Sequence, residues 1–165
     1  MFYSFKGGLR LDAHKYSANS PIERMEEPQT VSISLTQHVG IMCRPTVKVG
    51  DRVLEGQLIG DITGGLGCPV HASVSGTVIR IDEVTGASGG LSYNIVIEND
   101  RQHIMSPEVH PFGKKLSEAT SDEIIAAVRR AGIAGMGGTA FPTHAKMSAA
   151  RSRVDHVIVN CCESE

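Results

Sequence analysis

Between residues 31 and 99, apolar residues recur in short runs broken by glycines, and this pattern restricts the possible folds more than any other feature of the chain. Val31, Ile33 and Leu35 alternate with polar residues, which is the period of a half-buried strand. TVKVGDRVLEGQLIGDI follows at 46–62, with Gly50-Asp51 and Gly56 as turns between short β segments. PVHASVSGTVIRIDEV at 69–84 supplies two more strands around Ser75-Gly76, and YNIVIEN at 93–99 closes the series. Many short strands with frequent glycine turns predict a small all-β barrel or sandwich over residues 31–100.

The flanking segments differ. Residues 1–30 contain Gly7, Gly8, Pro21 and Pro28 with little periodicity, which reads as an extended arm or a partly disordered terminus. Residues 101–119 mix charge with Pro107 and Pro111 and read as a linker. TSDEIIAAVRRAG then places Glu123 three residues after Thr120, a capping box, with Ile124, Ala127, Val128 and Ala131 at helical spacing. Arg129 and Arg130 suit the last turn of that helix, and Gly132 suits its C-cap. SAARSR reads as a polar connection and DHVIVN as a short buried strand ending at Asn160. The expected fold class is α+β: the β domain first, then the start of an α/β unit over residues 120–165.

AGIAGMGGTAFPTHAKM, at 131–147, holds four glycines, a proline and one lysine where the helix ends. Gly135, Gly137 and Gly138 lack the side chains that keep a ligand from the backbone, so main-chain N–H groups can face a phosphate or a flat ring. Clustered glycines also serve as tight turns that hold nothing. The residues alone leave both readings open. Two familiar nucleotide loops are excluded. A P-loop needs lysine directly after its last glycine, whereas Lys146 lies eight residues past Gly138 and Met147 follows it. The dinucleotide fingerprint follows a strand, whereas this loop follows a helix.

GMGGTAFPTHAKM resembles the flavin-loop pattern G-x-G-G-(A/T)-(G/A)-F-P-T-x-x-K of the NADH-oxidising flavoprotein subunit of respiratory complex I and of its relative RnfC, a component of the Rnf electron-transport complex. VIVNCCESE at 157–165 resembles the strand and turn N-x-x-E-x-E-P that those families place beside the flavin. KGGLRLDAHKYSANSPIE at 6–23 and HASVSGTVIRI at 71–81 are similar to RnfC and have no counterpart in the complex I protein. The resemblance spans nearly the whole chain and favours the RnfC family.

That resemblance implies a full protein that oxidises NADH through flavin mononucleotide (FMN) and passes electrons to iron–sulfur clusters in an Rnf-type membrane complex. A flavin accepts two electrons and releases them singly, and the protein supplies position and electrostatics. By the same resemblance, Gly135, Gly137, Gly138, Thr139 and Ala140 line the flavin and phosphate, while Phe141 and Pro142 fix the loop. Lys146 offsets negative charge, Asn160 hydrogen-bonds the flavin, and Glu163 and Glu165 lie near the flavin edge or the nucleotide ribose. No residue is assigned a catalytic role or a metal.

The family's proline after Glu165 and several hundred further residues would carry the remaining flavin site, a ubiquitin-like module and a ferredoxin-like module with two [4Fe–4S] clusters. The expectation is a fragment, inactive alone, that is cytoplasmic or peripheral on the inner face of the cell membrane. Its partners would be NADH and either other subunits of a membrane complex or a soluble reductase. Soluble RnfC-like proteins such as PrdC, which feed amino-acid reductases, share the layout. Cys162 stands where RnfC usually has alanine, and Ser164 replaces a common cysteine. Cys161 and Cys162 therefore read either as packing after a strand or as redox groups.

VKVGDRVLEGQLI and HASVSGTVIRI also resemble the paired strands of biotinyl and lipoyl carriers. Carriers modify a lysine at the hairpin tip, where this chain reads DITGGLGCPVH with no lysine between Lys48 and Lys114. The architecture is expected without the carrier chemistry, in structural or docking use, with Gly64, Gly65 and Gly67 forming a tight or mobile tip.

The formal charge of −2, and four Phe and three Tyr with no Trp, leave no footprint for nucleic acid. No run of apolar residues is long enough for a membrane helix. Cys43, Cys68, Cys161 and Cys162 lack metal-site spacing and read as reduced thiols. Cys68 reads as a small apolar filler. His38, His71, His103, His110, His144 and His156 are scattered, without ligand-pair spacing, and read as surface or satisfied core groups.

Overall fold

The computed structural model describes residues 14, 16–85, 89–150, 154–156 and 158. The chain divides into two compact units, Met1–Glu26 with Val159–Glu165, and Glu27–Ile158. In the first unit the described residues 16–26 are exposed and carry no strand or helix. The second contains every element that follows.

Among the described residues, seven strands form two antiparallel sheets. In the four-stranded sheet, β1 (Thr30–Ser34) pairs with β7 (Leu91–Asn99), β7 with β6 (Gly76–Thr85), and β6 with β3 (Arg52–Val53). The three-stranded sheet has the order β2 (Arg44–Pro45), β4 (Leu58–Asp61), β5 (Val70–His71). The short alternating runs thus become short strands, and the expected barrel-sandwich architecture is present. One core fills the space between the sheets, with Ile33, Val53, Val78, Ile95 and Ile97 from one and Ile59 and Val70 from the other. Each such side chain contributes about 1.5–3 kcal/mol relative to exposure.

Two irregularities shape the sheets. The β6–β7 register shifts between Val78, opposite Ile97, and Arg80, opposite Val96, which leaves Ile79 as a bulge residue and bends the hairpin. Three residues before this bulge, Gly76 is the first strand residue rather than only a turn. A polar knot ties this end together: Ser75 donates to Asp100 at 2.6 Å, and Arg52 donates to the other carboxylate oxygen at 2.6 Å. These donors, with the Gln102 N–H, hold the Asp100 carboxyl below its usual range, the Ser75 hydroxyl most of all.

The hairpin-tip glycines are packed rather than loose at two of three positions. A Cβ on Gly65 would lie 2.5 Å from Ile41, and one on Gly67 2.8 Å from His38, while Gly64 is open. The segment at 36–43 covers this tip, with Ile41 N–H donating to the Leu66 carbonyl at 2.7 Å.

Residues 101–119 are anchored at several points. Glu55 and Met105 form a parallel bridge, Ser106 is buried, and Leu116–Glu118 form a short 3-10 turn. Two helices follow, α1 (Ser121–Arg130) and α2 (Thr143–Ala150). The second replaces the expected polar connection over Ser148, Ala149 and Ala150. Its alanines, lysine and methionine are strong helix formers, but no apolar stripe signals it in the sequence. The described positions among 154–158 carry no strand, and the rest of the predicted strand, including Asn160, lies outside the described residues.

Candidate functional site

Both ends of α1 are capped as the sequence predicts. Thr120 accepts from the Glu123 N–H at 3.3 Å, and Glu123 accepts from the Thr120 N–H at 2.9 Å. Lys114 adds an ion pair to Glu123, and this pairing, with the Thr120 donors, holds the Glu123 carboxyl down at about 2. At the other end the Gly132 N–H donates to the Arg129 carbonyl at 2.9 Å and the Ile133 N–H to the Val128 carbonyl at 3.3 Å. With Gly132 at φ +67, this is a Schellman turn, and glycine there avoids left-handed strain.

The C-terminal end of α1 is seated on the barrel. Arg129 pairs with Asp61 of β4 at 3.3 Å. A Cβ on Gly132 would lie 2.5 Å from the Pro69 carbonyl oxygen and 3.1 Å from the His71 ring. Burial lowers the pKa of the His71 imidazole, with the nearby Arg130 backbone acting in the opposite direction. Ile124, Ala127 and Val128 are only half-buried and face, across a groove of about 910 Å³, Leu58, Phe112 and Leu116. A smaller polar recess of about 300 Å³, bounded by Gln37, His38, Gly132 and Gly135, separates the barrel from the start of the glycine-rich loop.

That loop is a narrow hairpin. Ala134 and Pro142 form an antiparallel bridge, the Gly135 N–H donates to the Phe141 carbonyl at 2.9 Å, and the Ala140 N–H to Gly137 at 3.1 Å. Ala140 takes a left-handed φ of +44. Pro142 is buried and Phe141 half-buried, whereas Met136, Gly137, Gly138 and Thr139 are exposed at the tip. The N–H groups of those four have no hydrogen-bond partner among the described residues.

Gly135, Gly137 and Gly138 are absent from the residues with positive φ. Among the described residues, a Cβ on Gly137 or Gly138 would meet nothing within 4 Å, and one on Gly135 would make only ordinary contact with Phe141 at 3.6 Å. Neither backbone conformation nor crowding among the described residues requires glycine at these positions. The three glycines leave open space over a row of unpaired donors.

Lys146 lies on α2, exposed, with its Nζ 5.9 Å from the centre of the Phe141 ring. Helical geometry rather than a free loop therefore sets its position. His144, on the same helix, has a buried Nδ1 with no partner among the described residues, and burial followed by the Arg129 charge lowers its pKa. Asn160, Cys161, Cys162, Glu163 and Glu165 lie outside the described residues. Of the predicted site residues, the structure thus groups Gly135 to Phe141 with Lys146.

Asp61, Pro69 and His71 hold the loop's base, and no motif in the sequence marks them for that role. They lie in the β4–β5 hairpin, whose only sequence signal is the missing lysine. Behind them, Cys43 and Cys68 are buried, and Cys43 donates to the Cys68 carbonyl at 3.0 Å. Burial, with Asp61 nearby, pushes the Cys43 thiol up to about 11, and burial raises Cys68 as well. Cys68 is the apolar filler expected. His38 accepts from the Cys68 N–H at 3.2 Å, so it is a satisfied structural histidine. Among the described residues no group of three or more His, Cys, Asp or Glu could hold a metal ion, and no helix is long and apolar enough to cross a membrane.

Fold and loop together define a barrel-sandwich hybrid protein that carries an exposed glycine-rich hairpin on a capped helix. Residues 3–102 match the RnfC barrel sandwich hybrid domain, and residues 128–165 match the Nuo51 FMN-binding domain. The chain is 40% identical over 164 residues to the C subunit of the Na(+)-translocating ferredoxin:NAD(+) oxidoreductase complex of Acetobacterium woodii, covering 98% of this chain and 37% of the relative. It is 36% identical to the C subunit of the proton-translocating ferredoxin:NAD(+) oxidoreductase complex of Clostridium ljungdahlii, covering 100% and 36%. Against the C subunit of the ion-translocating oxidoreductase complex of Vibrio cholerae it is 35% identical, covering 99% and 21%. The chain belongs to the RnfC family, and it spans between 21% and 37% of the length of these relatives.

Proposed function

We propose that this chain forms the amino-terminal part of an electron-transfer subunit whose whole protein binds FMN, exchanges electrons with NADH and serves an ion-translocating membrane complex. One observation carries the reading: among the described residues, Gly135, Gly137 and Gly138 have neither the left-handed φ nor the crowding that would require glycine. The match of 128–165 to an FMN-binding domain supplies the class of ligand. Bound FMN would supply the chemistry that joins two-electron nicotinamide to one-electron carriers.

The chain's own residues do the holding. The free N–H groups of Met136 to Thr139 face a phosphate or ring edge, which is what a backbone nest offers an anion. Phe141 and Pro142 pin the two arms of the hairpin, and Lys146 places a charge beside them. Asn160, Glu163 and Glu165 complete this side of the site. The [4Fe–4S] clusters belong to further residues of the full protein, which sits peripherally at the inner face of the cell membrane. The lysine-free β4–β5 hairpin supports structural rather than carrier use of the barrel.

A flavin titration of this chain beside the full-length protein, followed by quenching of flavin fluorescence, tests the reading. Binding by the long chain alone is expected, since the glycine hairpin covers only one side of the ligand. Binding by neither would sink the flavin assignment.

A further inference from the structure

We propose that the β4–β5 hairpin of the barrel is the seat that positions the glycine-rich loop, with His71 as the positioning residue, so that the barrel is a working part of the flavin site. The inference rests on the flavin reading for its consequence but not for its geometry. Four contacts converge on one turn of chain. Asp61 pairs with Arg129 at 3.3 Å, and Pro69 lies so close to Gly132 that a Cβ there would sit 2.5 Å from its carbonyl oxygen. The His71 ring packs against Gly132, where a Cβ would lie 3.1 Å from it, and the Cys68 thiol points to the Ile133 carbonyl at 3.9 Å.

These contacts fall on residues 129–133, immediately before the Ala134–Pro142 bridge that opens the glycine hairpin. The rest of α1 contributes little to docking. It buries no residue completely, and the groove of about 910 Å³ lies beneath its apolar side. The loop's position relative to the barrel is therefore set at the C-terminal turn. A ligand held by backbone N–H groups is sensitive to such placement, because hydrogen-bond strength falls steeply with distance and angle.

The β4–β5 hairpin is itself braced from behind. Cys43 donates to the Cys68 carbonyl, and His38 accepts from the Cys68 N–H. The seat thus belongs to the rigid core, and a shift of the hairpin would be transmitted to the loop.

The test uses the full-length protein with His71→Ala and Gly132→Ala as independent lesions and His71→Asn and His71→Gln as conservative replacements that keep a planar polar group against Gly132. Amide hydrogen exchange over residues 133–142 reads the seat without reference to flavin. FMN dissociation constant and the flavin visible spectrum read its consequence. Both lesions are expected to speed exchange in 133–142 at least tenfold, with exchange in β6 and β7 unchanged. They should also raise the FMN dissociation constant about tenfold and shift the spectrum, and at least one conservative variant should recover both. Unchanged exchange in both lesions would overturn the seat. Faster exchange with unaltered FMN affinity and spectrum would overturn the positioning role. Wild-type protein that binds no FMN, with exchange still responding to the lesions, would leave the seat in place and remove the flavin reading instead.

Discussion

A Cβ on Gly76 would lie 1.9 Å from the carbonyl oxygen of Glu98, which sits diagonally across the β6–β7 ladder next to Asn99, the direct partner of Gly76. Gly76 has φ +159, and Thr77 and Val78 continue the register opposite Glu98 and Ile97. The obstructing atom is backbone in a central strand pair and cannot rotate away. Gly76→Ala is expected to destabilise the barrel by about 2–3 kcal/mol, the scale of overpacking. Urea denaturation would show a lower midpoint with an unchanged slope. Gly50→Ala is the contrast: nothing lies within 4 Å of its Cβ position, and its cost comes only from φ +93.

The buried thiols set a pH dependence. The folded pKa of Cys43 is raised from 9.0 to about 11, so the folded state retains the proton more strongly than the unfolded chain. The associated stability is fully present below pH 9 and is lost as the pH rises toward 11. In native protein at about pH 8, below the ordinary thiol range, Cys43 and Cys68 should resist iodoacetamide and react only after denaturant is added, as read by site-resolved mass spectrometry. Rapid native labelling of Cys43 would contradict its burial.

His103 lies between two carboxylates, 2.8 Å from Glu27 and 3.6 Å from Glu55. The Glu27 hydrogen bond is the larger influence, and together they raise the imidazole above its ordinary 6.5. Its stabilising contribution is present below pH 6.5 and is lost as the pH climbs through the folded value. An NMR titration of the His103 ring protons should show an elevated midpoint, and Glu27→Gln should lower it.

Lys146→Ala in the full-length protein should weaken FMN binding by about 1–3 kcal/mol, the range for losing a charge-assisted hydrogen bond. Because Lys146 is fixed on α2, Lys146→Arg should restore part of the affinity. Isothermal titration of the apoprotein with FMN measures both. An unchanged affinity in Lys146→Ala would remove that residue from the site.

The features legible in the sequence are those whose physics is local. Alternation over a few residues is enough to place β1, β6 and β7, because a strand's side-chain period is two wherever it lies. The Thr120–Glu123 box and Gly132 announce both ends of α1, because caps are made within one turn of the helix. The glycine hairpin is legible by its resemblance to flavin loops. Helix α2 is not, because THAKMSAA has helix-forming residues without an apolar stripe, and its Ser-Ala-Ala end resembles a connection.

By itself, then, the sequence determined the barrel-sandwich architecture, the capped helix and the glycine loop's resemblance to flavin loops, since each is encoded in neighbouring residues. Tertiary structure decided where that loop stands. Asp61 meets Arg129 across 68 positions, and Gly132 reaches Pro69 and His71 only when the β4–β5 hairpin folds beneath the end of α1. It also decided which glycines serve the fold. Gly76 and Gly132 are pressed against backbone while Gly137 and Gly138 face open space, and no one-dimensional pattern distinguishes a glycine crowded by its own chain from one that leaves room for a ligand.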